Sequence, residues 1–203
     1  SVYINGPALI PINIAPGMYG GILGRSYDPL MVGDPTSDEI AIPGLSYESR
    51  LSETRMRKLM QLKKSLDRNR TALDANEQVR NNNRFYGQAV EMLSSPQVIS
   101  AFDLNKESDK TRDAYGRYRS GQACLLGRRL VEAQVPYVNV IFNHTNRGQD
   151  LAPDAIEEYG WDTHNEGQKN QHMLIRQLDQ AFSTLLVDLE KHQRLDRTLV
   201  VVA

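Results

Sequence analysis

Apolar positions fall into three regimes along the chain. From about residue 50 to 134 they recur every three or four positions, which is one face of a helix. Met56, Leu59, Leu62 and Leu66 form one such stripe, and Val79, Tyr86, Val90 and Leu93 form a second, behind the capping pair Asp74 and Glu77. Ser95-Pro96 predicts a new helix with proline in its first turn. Ser108 predicts another, ending near Tyr115-Gly116. A longer helix follows over 119–134, with Ala123, Leu126, Leu130 and Val131 facing inward.

Residues 1–48 show no such period. Turn-forming pairs such as Asn5-Gly6, Pro16-Gly17, Gly20-Gly21, Asp28-Pro29, Asp34-Pro35 and Pro43-Gly44 leave room only for short elements, among them strands at Val2–Ile4 and Ile40–Ile42. This segment reads as an irregular wrap over a body that supplies its burial. The last third, 135–203, reads as strand, loop, helix, strand. Val135–Phe142 is the first strand. Residues 143–167 are polar. Asn165 and Gln168 cap a long helix lined by Leu174, Leu178, Ala181, Leu185 and Leu189. Thr198–Val202 closes the unit. Two parallel strands around a helix give an α/β class. The near-continuous apolar runs suggest strands covered on both faces. In such sheets ligands sit beyond the carboxyl ends of the strands.

Charge adds little to this picture. Lys plus Arg is 24 against 25 for Asp plus Glu, so no global field draws the chain to nucleic acid. The basic run over 50–70 is explained by a solvated helix face, and no nucleic-acid partner is expected. No apolar run approaches the roughly 20 residues of a transmembrane helix. Cys124 is the sole cysteine, which excludes an internal disulfide and a Cys-rich metal site; inside a helical pattern it reads as a buried thiol. Ser1 is not a Met, and the chain stops directly after an apolar run, so the sequence reads as an internal fragment of one larger domain.

The chemistry-bearing residues crowd into the polar loop. His144, His164 and His172 fall close together in sequence, near Asp150, Asp154 and Asp162. The sharpest group is Trp161-Asp162-Thr163-His164. A carboxylate and an imidazole two positions apart face one point in an extended loop, and that pair suits zinc, iron or manganese. On the residues alone, a turn-capping carboxylate beside a surface imidazole is the commoner explanation. His144, just past a strand end, is a secondary candidate ligand. His172 reads as a surface or packing group, His192 as a ring near a helix C-terminus that interacts with the helix dipole, and Trp161 as packing for the loop. Arg128 and Arg129 are candidates to reach an anionic ligand.

Several of these stretches carry a resemblance. The run Gly121-Gln122-Ala123-Cys124-Leu125-Leu126-Gly127-Arg128-Arg129-Leu130-Val131-Glu132-Ala133 resembles a signature of the bacterial family known as the domain of unknown function numbered 1501. So do Trp161-Asp162-Thr163-His164, the tail from Leu178 through Thr198–Val202, Gly24–Pro29 and Asp113–Gly116. The resemblance implies a sulfatase-like branch of the alkaline phosphatase superfamily. The chain would then be part of an α/β/α sandwich with an extended Gly/Pro-rich N-terminal segment and a helical middle. It implies a divalent metal held by Asp162 and His164, and an exported or periplasmic protein with a twin-arginine leader, as in planctomycete-like bacteria. It further implies action on a phosphorylated or sulfated small molecule or glycan. The nucleophile and second metal cluster would lie outside this chain. Two departures keep a different role open. Better-known phosphatases of that superfamily space this Asp and His four apart, and the stretch 143–160 is longer than in many relatives. Both also fit a catalytically silent scaffold that binds a glycan, an envelope component or a partner protein.

Overall fold

A computed structural model of the chain describes residues 1–6, 9–10, 13–14, 16–24, 27–37, 95–142, 161 and 167–203. Its centre is a three-stranded parallel sheet of β1 (Val2–Ile4), β4 (Leu30–Val32) and β5 (Val138–Val140), in the order β4-β1-β5. Val2 stands beside both Leu30 and Val138, and Ile4 beside both Val32 and Val140. Val2, Ile4, Leu30 and Val32 are buried, while Tyr3 and Met31, on alternate positions, are half-buried. A small antiparallel pair, β2 (Leu9–Ile10) and β3 (Asn13–Ile14), forms a separate sheet.

Among the described residues four α-helices accompany the sheet: α1 (Pro96–Phe102), α2 (Asp109–Tyr115), α3 (Arg119–Glu132) and α4 (Gly167–Lys191). Their ends follow local chemistry. Pro96 opens α1. Ser108 Oγ accepts from Thr111 N at 3.1 Å to cap α2, and Gly116, at φ 89°, ends it. α3 and α4 stop in the same way. Gln134 and Gln193 adopt left-handed φ of 64° and 54°. The next amides, Val135 N and Arg194 N, reach back to Leu130 O at 2.9 Å and Leu189 O at 2.8 Å.

α3 is the middle of the molecule. From Ser120 to Arg128 every residue is buried, because the helix meets β5 as well as α1, α2 and α4. Two glycines set those distances. A Cβ on Gly127 would stand 3.2 Å from Val140 Cγ2, and one on Gly121 would run into the backbone oxygen of Tyr115. α4 lays Leu174, Ala181 and Leu189 into the core, with Leu178 and Leu185 half-buried along the same face.

Several expectations change. The N-terminal segment is not only a wrap: β1 is the central strand, and β4 joins it from a stretch in which no strand was expected. β5 covers only the middle of the 135–142 run and is half-buried throughout, since it pairs on one side alone among the described residues. Thr198–Val202 is not a paired strand. It follows a 3-10 turn at Leu195–Arg197, and Leu199, Val201 and Val202 are exposed. An apolar run forms no ladder without a neighbour, and none of the described strands pairs with it. Ser95 does not cap α1 with its side chain; its Oγ donates to Gln97 Oε1 instead. Val131, expected to face inward, is half-buried. The apolar faces within 50–94, Ile40–Ile42 and the Asn165 cap lie outside the described residues.

Candidate functional site

Parallel strands deliver their carboxyl ends to one edge, and here that edge is polar. The chain leaves β1 through Asn5, which is fully buried. Its φ is 61°, a left-handed conformation that asparagine tolerates better than most residues. Its Nδ2 donates to Ile141 O, just past β5, at 3.2 Å. Its Oδ1 accepts from Arg119 Nε, in the first residue of α3, at 3.1 Å. One amide thus joins the exits of two strands to the start of the central helix.

β4 exits through Gly33 to Asp34. Asp34 Oδ1 is occupied by its own turn, accepting from Thr36 N at 2.8 Å and Thr36 Oγ1 at 2.6 Å. Its other oxygen faces Arg119 Nε at 3.9 Å, beyond hydrogen-bond reach. Gly6 lets the β1 exit pass close to β4, because a Cβ there would stand 2.8 Å from Met31 Sδ.

The third exit carries the tryptophan. Trp161 Nε1 donates to Phe142 O at 3.1 Å, and the two rings lie tilted with centroids 6.3 Å apart. The Trp161 carbonyl accepts from Gln171 Nε2 on α4 at 3.3 Å. Trp161 therefore ties the β5 exit to the early part of α4, the packing role expected of it.

Asp162, His164 and His144 lie outside the described residues, as do Asp150, Asp154 and the basic run 50–70. Among the described residues no three of His, Cys, Asp and Glu come together in a way that would hold a metal ion, and no helix is long and apolar enough to cross a membrane. His172 is exposed on α4. His192 sits at the α4 C-terminus, with Nδ1 2.7 Å from Asp188 O and Nε2 3.7 Å from Glu132 Oε1. Cys124 is buried, and burial pushes its thiol up to about 12.

Arg128 and Arg129 are not available to a ligand. Arg128 is 3% exposed, with Glu132 at 2.7 Å, Glu107 at 2.9 Å and Asp188 at 3.0 Å. Arg129 pairs with Glu107 and donates to the carbonyls of Ala101 and Ser100 at 2.8 and 2.6 Å. Burial alone would raise the Glu107 carboxyl. The charge of Arg128 and the hydrogen bond from Arg129 outweigh it and hold the group below its ordinary value.

None of Asn5, Asp34 and Arg119 was expected at a site; the sequence pattern marked Asn5 and Asp34 only as turn formers. Two signals for them exist. An apolar triplet followed by Asn-Gly marks a strand that exits through a left-handed residue, and Leu-Met-Val followed by Gly-Asp-Pro-Thr marks a strand that exits into an Asp-centred turn. Arg119 has no such local signal.

Among known proteins, the family model described as Protein of unknown function (DUF1501) matches residues 12–203. No curated protein and no solved structure matches the chain.

Proposed function

The chain belongs to the DUF1501 family, and from that membership we propose that it is part of a sulfatase- and phosphatase-like, metal-dependent hydrolase of phosphate or sulfate esters. One observation carries the reading. Trp161, the residue bonded to Asp162, is fixed at the carboxyl edge of a parallel sheet, where ligands of such sheets bind. Asp162 and His164 are the proposed metal ligands, with His144 as a further one. A carboxylate with imidazoles is a donor set that fits zinc, manganese or iron. Two or three ligands need completion from elsewhere in the full protein. Bound there, the metal would supply Lewis-acid polarisation of an ester oxygen. The chain's own contribution is a cation at the same edge, Arg119, and the Trp161–Phe142 contact, which holds Trp161 at the β5 exit. Export to the periplasm goes with this reading.

The second reading is a catalytically silent scaffold that binds a glycan, an envelope component or a partner protein. The spacing of two between Asp162 and His164 favours it, as does the long stretch 143–160. Elemental mass spectrometry on the full-length protein separates the two, beside the double change Asp162→Ala, His164→Ala and a screen of aryl phosphates and sulfates. Stoichiometric metal that falls with the double change, together with turnover of either ester, supports the hydrolase. Equal, substoichiometric metal in both proteins and no turnover favour the scaffold.

A further inference from the structure

Arg119 differs from Arg117, Arg128 and Arg129 in how its charge is met, while Arg112 is likewise held by neutral amides, Gln122 Oε1 and Asn105 Oδ1. Arg117, Arg128 and Arg129 are each neutralised by carboxylates in direct contact. Arg119 is held by a neutral amide, Asn5 Oδ1, and its nearest carboxylate oxygen among the described residues is 3.9 Å away. Both contacts lie at Nε. Among the described residues the two terminal nitrogens have no partner, and the side chain is about one-fifth exposed, so solvent reaches it. Asn5, which sets this arrangement, is fully buried and left-handed at the exit of the central strand.

The geometry points to Arg119 as the group that recognises a tetrahedral oxyanion, the phosphate or sulfate moiety of a ligand. A guanidinium fixed at Nε presents its terminal nitrogens as a fork, and such forks grip phosphate- and sulfate-type oxygens in pairs. Asn5 is the positioning residue. It orients the fork without cancelling its charge, which an aspartate at the same place would do. Asp34 is an internal competitor: one oxygen is locked in its own turn, and the other stands close enough to weaken the field at Arg119 without occupying it. The inference rests on the proposed hydrolase for the class of ligand, and on the edge geometry for the residues.

The test uses full-length protein treated with EDTA, titrated calorimetrically with inorganic phosphate and, separately, with sulfate. The wild type should bind at least one of them, and the stronger of the two identifies the anion. Arg119→Gln should weaken that binding about tenfold or more. Arg119→Lys, which keeps the charge but loses the fork, should fall between. Asp34→Asn should tighten it about two- to fivefold, the scale of a partly exposed ion pair. Asn5→Asp keeps an acceptor for Nε but loses the Nδ2 donor to Ile141 O, so its affinity is read beside its urea midpoint: a positioning role predicts a loss of about fivefold or more in protein that is still fully folded. Circular dichroism on each variant confirms the fold, and the lysine variant serves if the glutamine variant does not fold. Wild-type protein that binds neither anion overturns the inference. So does Arg119→Gln that binds as wild type. Metal content is read on untreated protein. Phosphate binding that depends on Arg119 in a protein that never holds metal defeats the hydrolase and leaves this site standing.

Discussion

Tyr115 donates its hydroxyl hydrogen to Asp188 Oδ2 at 3.1 Å, inside the core and across 73 residues of sequence. The bond fastens the last residue of α2 to α4, and the same carboxylate faces Arg128 on α3. Three helices therefore converge on one oxygen. Tyr115→Phe should cost about 1–2 kcal/mol, the loss of a buried hydrogen bond to a charged acceptor. Urea unfolding of the purified protein reads it.

Removing the cation should cost more. Arg128→Met strips Glu107, Glu132 and Asp188 of their shared partner and leaves buried negative charge, an effect of about 3–5 kcal/mol. Chemical denaturation checks the size. A mutant as stable as wild type would mean that solvent reaches these carboxylates.

The acid limb follows from Glu107. Its folded value lies below the ordinary 4.5, despite burial, because of Arg128 and Arg129. The stability this gives is present above about pH 4.5 and is lost as pH falls through the lower folded value. Glu107→Gln should flatten the fall in urea midpoint below that pH.

The alkaline limb has the opposite sign. Burial pushes Cys124 from 9.0 up to about 12. Burial, followed by the Asp188 charge, pushes Tyr115 well above the usual phenol range. Both folded forms prefer the proton. Their contribution is complete below about pH 9 and is lost as pH rises through the folded values. Cys124→Ala should make the loss of stability between pH 9 and about 12 shallower. In wild type at neutral pH, iodoacetamide should label the thiol only in denaturant.

Stabilisation is available at the helix ends. Gln134 and Gln193 hold left-handed backbone at a cost that glycine avoids. Each change to Gly should raise stability by roughly 0.5–1 kcal/mol, the range of helix-end improvements, read as a higher melting temperature. Gly121→Ala should do the reverse and prevent α3 from seating, because its Cβ would run into the backbone of Tyr115 and Gly116.

Local chemistry made the helical elements readable. Pro96, Ser108, Gly116 and the Ala123–Leu126–Leu130 stripe state their roles within a turn or two of chain, and so does the helical spacing of α4. The sheet was less readable. Leu30-Met31-Val32 sits between Pro29 and Gly33, too short for any period to register. Its place is set by β1, from the far side of a run of turns. Arg128 reads as a cation that could reach an anionic ligand until Glu107 and Asp188, from separate segments, join Glu132 of its own helix around it. Thr198–Val202 shows the converse: its composition is that of a strand, but pairing is a property of neighbours. At the candidate site the motif around Trp161 stood out, while Asn5 and Arg119 acquire meaning only once β1, β5 and α3 are in place.

The register of β1 has a consequence for how this chain is made. Val2 pairs with Val138, 136 residues further along the chain. At about 5–20 residues per second, β1 leaves the ribosome roughly 7 to 30 seconds before its second partner exists. For most of that interval Val2 and Ile4, fully enclosed in the finished sheet, have β4 alone to pair with and one side of the strand open. Synthesis rate and chaperone supply, rather than the final stability of the core, should then set the yield of correctly folded protein.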